Sequence, residues 1–352
     1  METKLIKIKD SANIKDVELA EAAEVIRRGG LVAFPTETVY GLGANALNED
    51  AARKIYAAKG RPSDNPLIAH ISSMEELAPL VSEIPEAGRR LAEAYWPGPL
   101  TLVFPKSGLV PYGTTGGLDT VAVRMPSDPV ASRLIALAGV PVAAPSANTS
   151  GRPSPTTARH VWQDMNGRID MILDGGPVGI GVESTIVDVS GSVPVLLRPG
   201  AVTMEMLEKT VGHVEIDPAI QGPPREDLRP KAPGMKYRHY APHGDLVLVE
   251  GAGMEAVISR INGLAKEKTD QGFRVGIICT DETMGRYRWG QVRSVGMRAK
   301  EETIAHNLFA VLREFDDLKT DYIYSESFSR EHLGQAIMNR LTKAAGYHVI
   351  RV

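Results

Sequence analysis

Four cations occupy positions that ask for a partner. Lys59 and Arg61 close a helical pattern in KGRPSDNPLIAH (59–70), Arg124 lies inside the apolar strand pattern AVRMP, and Arg198 lies inside VLLRPG. Cations at a helix C-terminus suit the helix dipole, so Lys59 and Arg61 alone say little. An arginine inside an apolar strand either reaches the surface or pairs with an anion. Two of them, added to Lys59 and Arg61, describe a site for a polyanion. Neutral hydrogen-bonding groups accompany these charges. Pro62 and Pro66 brace a loop holding Asn65 ahead of a strand that ends at His70, and APSANTSGRPSP (144–155) supplies Ser146, Asn148 and Ser154. Rigid polar loops at the mouth of a sheet are where functional groups tend to sit, although segments rich in Ser, Asn, Gly and Pro also make plain surface turns. Residue types alone therefore give an anion or phosphate site built from several loops.

Other chemistries fit less well. The chain has no G-x-x-x-x-G-K-[ST] loop, no H-E-x-x-H and no G-x-S-x-G. GLGANA (41–46), with Asp64 about twenty residues on, superficially meets the dinucleotide fingerprint. The preceding strand LVAF ends at Pro35, however, and TETVY intervenes where the tight turn belongs. Those glycines read better as a loop passing a sheet edge. Pro242 separates His239 from His243, so they do not stack as zinc ligands on a helix. A single cysteine, Cys279 in VGIICT, excludes a disulfide framework and a multi-cysteine zinc site, and reads as a buried, inert thiol.

The elements that must position these groups divide into two sets. A length of 352 residues favours two domains, and 43% hydrophobic with 24% charged residues is ordinary globular composition. The net charge of -3 gives no general pull toward nucleic acid. METKLIKIKD has no signal-peptide core, and no apolar run approaches the roughly 18 residues of a membrane span, which points to a cytoplasmic, reducing compartment without a membrane partner. Residues 16–28 have helical periodicity and stop at Gly29-Gly30. LVAF, PLIAHI, LTLVF, TVAVRM, PVAAP, MILDGG, STIVDV and VPVLL read as strands, with helices at 49–58, 73–81, 86–95, 128–138 and 156–165. This predicts one α/β domain with a large mixed sheet over 1–212. A proline-punctuated linker, 213–244, carries KAPGMKYRHYAP. Over 245–352, strands in DLVLVE, FRVGIICT, VRSVGM and YIYSES alternate with helices near 253–268, 300–317 and 332–345. A small, parallel, doubly wound Rossmann-like domain fits that pattern.

PTETVYGLGANA (35–46), K-G-R (59–61), NPLIAH (65–70), WPGPLT (96–101), GLDTVAVRMP (117–126), APSAN (144–148), GVESTIVDV (181–189) and LLRPG (196–200) together resemble the threonylcarbamoyl-AMP synthases of the YrdC-like fold. Lys59/Arg61 and Ser146/Asn148 match that family's K-x-R and S-x-N hallmark, and GMKYRHYAP before a small α/β module resembles its long, two-domain form. The resemblance implies an enzyme that converts L-threonine, bicarbonate or CO2, and ATP with Mg2+ into L-threonylcarbamoyl-AMP and pyrophosphate. Partner proteins would then place the threonylcarbamoyl group on a tRNA adenosine beside the anticodon. By the same resemblance Lys59, Arg61, Ser146 and Asn148 are the catalytic set. Thr38, His70, Arg124, the backbone near Ala144, and Ser184 would form the threonine pocket. ATP would meet these catalytic residues together with Asn65, Thr120, Ser154, Arg198 and Tyr237. The residue chemistry agrees, because carbamate, carboxylate and triphosphate bring negative charge to one place and cations must offset it. The tyrosines and cations of the linker are then expected to close over the pocket, with Tyr237 on the nucleotide and Lys236, Arg238 or His239 near its phosphates. Two other readings stand beside it: an RNA-binding module without chemistry, which uses the same cation cluster, and carbamoyl transfer from carbamoyl phosphate, which the resemblance implies for the same fold as one module of larger proteins.

Overall fold

The computed structural model describes residues 2–11, 13–220, 222, 230–233, 235 and 239–352. Two units emerge. One takes the chain up to Ser150, and from Ser154 through the described linker residues to Met235; the other takes Gly151–Pro153 and the chain from His239 onward.

The first unit contains β1 (Lys4–Lys7), α1 (Asp16–Arg27), β2 (Val32–Phe34), β3 (Gly41–Asn45), α2 (Glu49–Lys59), β4 (Ile68–His70), α3 (Glu86–Tyr95), β5 (Leu100–Pro105), α4 (Tyr112–Thr115), β6 (Thr120–Arg124), α5 (Pro129–Ala138), β7 (Val142–Ala143), α6 (Ala158–Met165), β8 (Met171–Asp174), β9 (Thr185–Asp188), β10 (Val195–Arg198), α7 (Met204–Val211) and β11 (Glu215–Ile216). The strands form one mixed sheet in the order β1-β8-β2-β3-β7-β4-β6-β5-β9-β10-β11. Local chemistry sets the ends of the helices that matter most. Asn48 accepts hydrogen bonds from the N–H groups of Asp50 and Ala51 to start α2, and Gly60, at φ 61°, ends it. That left-handed stop leaves Lys59 and Arg61 flanking the glycine. Asp128 caps α5 in the same way, through Val130 and Ala131.

Two sequence expectations need correction here. The glycines of GLGANA are not in a loop past the sheet edge: they form β3, in the middle of the sheet between β2 and β7. A Cβ at Gly43 would lie 2.5 Å from the Phe34 ring and 2.9 Å from Val142, so the strand gives up its side chains to admit its neighbours. The expected helix over 73–81 is instead a pair of short 3₁₀ turns, Met74–Glu76 and Ala78–Leu80. Pro79 has no N–H to give an α-helix, and the Glu76 carboxylate folds back to accept from the Ser72 N–H and hydroxyl.

The second unit is a wholly parallel sheet in the order β14-β13-β15-β12-β16. Its elements are β12 (Asp245–Glu250), α8 (Met254–Asp270), β13 (Val275–Cys279), β14 (Gln291–Ser294), α9 (Glu301–Asp317), β15 (Tyr322–Glu326), α10 (His332–Ala344) and β16 (Val349–Arg351). The apolar face expected on α9, Ile304, Leu308, Val311, Leu312 and Phe315, is buried, and so is Cys279. The mixed sheet plus a second, parallel sheet is the architecture the sequence predicts. No helix among the described residues is long and apolar enough to cross a membrane.

Candidate active site

One face of the large sheet is divided in two. Over β1-β8-β2-β3-β7 it is packed by α1 and α5 around Leu19, Ile26, Phe34, Leu134 and Val142. Over β4-β6-β5-β9-β10 the same face carries polar side chains. Register shows this directly: His70 pairs across from Arg124 and from Val142, and Arg124 from Thr101. Cross-strand partners share a face, and so do residues two apart in a strand. Thr120, Ala122 and Arg124 therefore line up with Ile68 and His70, with Thr101 and Val103, and with Ser184 and Ile186. Apolar members of this set, Ile68, Ala122, Val103 and Ile186, pack against Ala232 and Met235 of the linker.

Arg124 is buried at the centre. Its Nη1 donates to Thr38 Oγ1 at 2.9 Å and its Nε to the Gly98 carbonyl at 3.3 Å, while Nη2 lies 2.7 Å from Glu37 Oε1. That last contact is electrostatic, since neither Glu37 oxygen makes a well-directed hydrogen bond. Burial raises the Glu37 carboxyl, but the Arg124 charge and contact, with the nearby backbone of Glu37 and Ser127, together outweigh it and hold the group below its usual range. His70 is buried too. Its Nδ1 lies 3.0 Å from the Ile68 carbonyl, so that nitrogen bears the proton and Nε2 is left as an acceptor. Burial, then the neighbouring Arg124 charge, pushes His70 down to about 3. Ser184 Oγ shares a 2.8 Å hydrogen bond with Thr101 and accepts from Arg198 Nη2 at 3.1 Å; Arg198 Nε donates to the Ser184 carbonyl at 3.0 Å.

A second cluster gathers at the end of α2. Lys59 Nζ donates to the carbonyls of Ser146 and Asn148, the latter at 2.6 Å, and the Ser146 hydroxyl donates to Asn148 Oδ1 at 2.6 Å. The K-x-R and S-x-N segments are thus one hydrogen-bonded assembly. Arg61 folds over the next loop, donating to the carbonyls of Asn65 (3.3 Å) and Pro66 (3.1 Å). The Asn65 side-chain oxygen is buried with no hydrogen-bond partner. A buried amide oxygen left unpaired costs free energy and points to something that completes it. Ser154 donates to the Glu183 carboxylate. Ala144 links the clusters, because its N–H donates to the Ile68 carbonyl at 2.9 Å, two residues from His70 on one side and from Ser146 on the other.

Comparison with known proteins decides the family. A family model described as "Telomere recombination" matches residues 24–200, and one described as "Threonylcarbamoyl-AMP synthase, C-terminal domain" matches residues 202–346. The threonylcarbamoyl-AMP synthase of Bacillus subtilis is 49% identical over the full length of both chains. That of Pyrococcus abyssi is 51% identical over 96% of this chain and 97% of its own. The chain belongs to the threonylcarbamoyl-AMP synthase family. The solved structure of Pyrococcus abyssi Sua5 complexed with L-threonine superposes with a TM-score of 0.93 at 49% identity, covering 99% of this chain and all of that one.

Within this family member, sequence reasoning passed over two residues of the site. Glu37 stands inside the quoted PTETVY, but nothing in one sequence pairs it with Arg124. Thr101 closes the quoted WPGPLT, and only the β5–β9 register brings it to Ser184. The linker is split by what the structure describes. Ala232 and Met235 pack on the polar face, Lys231 lies 3.6 Å from the Asp188 carboxylate, and the Pro233 carbonyl accepts from Arg198 Nη1 at 3.4 Å. Gly234, Lys236, Tyr237 and Arg238, with the nucleotide contact expected of Tyr237, lie outside the described residues.

Proposed function

We propose that this chain makes L-threonylcarbamoyl-AMP from L-threonine, bicarbonate or CO2, and MgATP, releasing pyrophosphate. The supporting observation is that the buried arginine at the centre of the polar face, Arg124, sits beside a buried neutral imidazole and the Lys59–Ser146–Asn148 assembly, in a chain 49% identical throughout to a relative solved with L-threonine.

The steps follow from the charges. Threonine's carboxylate takes the guanidinium of Arg124 in place of Glu37, as a bidentate pair. Its hydroxyl reaches a polar group among Thr38, His70 Nε2 and Ser184. Such a pocket rejects valine, which would leave a buried polar group unpaired, and discriminates serine by roughly 10–200-fold through the missing methyl. The free amine adds to CO2 and loses a proton to water, giving a carbamate. A carbamate oxygen then attacks the α-phosphorus of ATP and pyrophosphate leaves. Lys59 and Arg61 bring positive charge to the end of α2, where it would offset the negative charge of the polyphosphate. Asn65, Thr120, Ser146, Asn148, Ser154 and Arg198 orient the nucleotide. Mg2+ enters as part of MgATP, held by phosphates and water. The adenylate is then consumed by proteins that modify tRNA in the cytoplasm.

The assay supplies labelled bicarbonate, L-threonine and MgATP, and follows pyrophosphate with the labelled adenylate. Release of both in a threonine-dependent manner is the expected result; intact ATP in the full mixture overturns the proposal.

A further inference from the structure

The loop that carries Ser146, Asn148 and Ser154 does not belong to one unit throughout. Its middle, Gly151–Pro153, is part of the second unit, while Ser150 and Ser154 are part of the first. What holds those three residues is a stripe on α9. Phe309, Arg313 and Asp316 recur at helical spacing and so share one face. Arg313 is fully buried and donates twice to the Pro153 carbonyl, from Nε at 3.1 Å and Nη2 at 2.6 Å. Asp316 is nearly buried and lies 3.1 Å from Arg152 Nη2. The same stripe holds the end of the linker. Tyr240 stacks on Phe309 with ring centroids 5.2 Å apart, the Ala241 N–H donates to the Gly151 carbonyl at 2.9 Å, and the His243 N–H donates to Asp316 Oδ1 at 2.6 Å. Tyr240 takes a left-handed φ of 65° to do this, a conformation that is unfavourable for a non-glycine residue and persists only where its surroundings enforce it.

Burying a guanidinium costs free energy unless its donors are met, and two of the Arg313 donors are met at the Pro153 carbonyl. The contact fixes a carbonyl whose next residue is Ser154, and whose segment begins three residues after Asn148. We propose that Arg313 and Asp316 are positioning residues for the nucleotide end of the site. By gripping Pro153 and Arg152 they set the path of the loop and hence where Asn148 and Ser154 present their polar groups. The inference rests on the assignment of this loop to ATP in the proposed function. α9 thereby couples the path of this loop to the seating of the Tyr240 end of the linker.

The test uses the full-length chain with Arg313→Gln, Arg313→Lys and Arg152→Ala. Each is scored for KM of ATP, KM of threonine, thermal midpoint, and amide exchange over 149–156 without substrates. Arg313→Gln is expected to raise the KM for ATP about tenfold, within the 5–150-fold span of typical couplings, to leave the KM for threonine within about twofold, and to speed exchange over 149–156. Arg313→Lys keeps one donor for the Pro153 carbonyl and recovers part of both effects. A merely structural arginine would lower the midpoint while moving neither the ratio of the two KM values nor the local exchange. That pattern, in a folded Arg313→Gln protein, overturns the proposal. Should Arg313→Gln fail to fold, the partly exposed Arg152→Ala variant decides on the same readouts. The exchange measurement needs no turnover, so a wild-type chain that forms no adenylate would sink the proposed reaction while exchange and MgATP binding still settle the loop.

Discussion

Each unit buries charge, and the two do it differently. In the second, Glu326 has no exposure; it accepts from the Tyr287 hydroxyl at 2.6 Å and meets Arg298, whose other nitrogen donates to the Ser327 carbonyl at 3.0 Å. The network is closed, and its main effect on its neighbours is electrostatic: burial, then the Glu326 charge, pushes the Cys279 thiol up to about 12. In the first unit, Lys59 and Arg61 are buried against backbone carbonyls, and Arg124 faces a carboxylate it meets without alignment. The second unit's network is centred on a carboxylate, whereas Lys59 and Arg61 are seated on backbone carbonyls, whose dipoles stabilise a cation and leave its formal charge in place.

That contrast is breakable. Glu326→Leu should cost about 3–5 kcal/mol by stranding Arg298 and the Tyr287 hydroxyl, read from urea unfolding, with adenylate formation per folded molecule unchanged. Arg61→Ala should do the reverse. Adenylate formation is expected to fall by about 100–1,000-fold, the scale for removing one preorganised electrostatic contact, while the unfolding midpoint moves little. If Arg61→Ala mainly unfolds the protein, or Glu326→Leu mainly abolishes turnover in folded enzyme, the two kinds of buried charge are not distinct.

Much of this difference was visible in the sequence, and the reason for the remainder is physical. Lys59, Arg61, Arg124 and Arg198 stood out because a cation in an apolar context is conspicuous whatever lies around it. The strand patterns of β5, β6, β9 and β10 were legible because β-branched residues dominate them. β3 was not, because a strand that yields its side chains to Phe34 and Val142 leaves only glycines to read. The Glu37–Arg124 pair joins the loop after β2 to the end of β6, residues far apart in sequence that no local pattern links. Pro153 gives no hint of Arg313, since what α9 grips is a backbone carbonyl, identical in every residue.

The comparison sharpens within the first unit, where His70 ends β4, Asp128 caps α5, and the two titrate with opposite signs. His70 is held at about 3, below the ordinary histidine value of 6.5. As pH falls from 6.5 toward 3 the unfolded chain gains a proton that the native protein refuses, so stability drops by about 1.4 kcal/mol per pH unit. His70→Asn should flatten that slope in denaturation measured from pH 7 to 4. In the wild type the imidazole is neutral throughout pH 6–8, so the KM for threonine should show no step near 6.5.

Asp128 is the smaller effect and runs the other way. Burial, opposed by its cap bonds to α5 and reinforced by the Glu37 charge, raises it from 3.8 to about 6. Its folded form therefore binds a proton that the unfolded form has released, and the stability this contributes below pH 3.8 is lost as pH rises through 6. Between those limits it masks part of the His70 slope. Asp128→Asn keeps an oxygen to accept from the Val130 and Ala131 N–H groups, so the cap survives and only the titration is removed. The variant should match the wild type near pH 3.5, exceed it in stability above pH 6, and lose stability more steeply between those values as acid is added. A variant whose pH profile parallels the wild type would show that the Asp128 carboxylate is as well accommodated as Glu326.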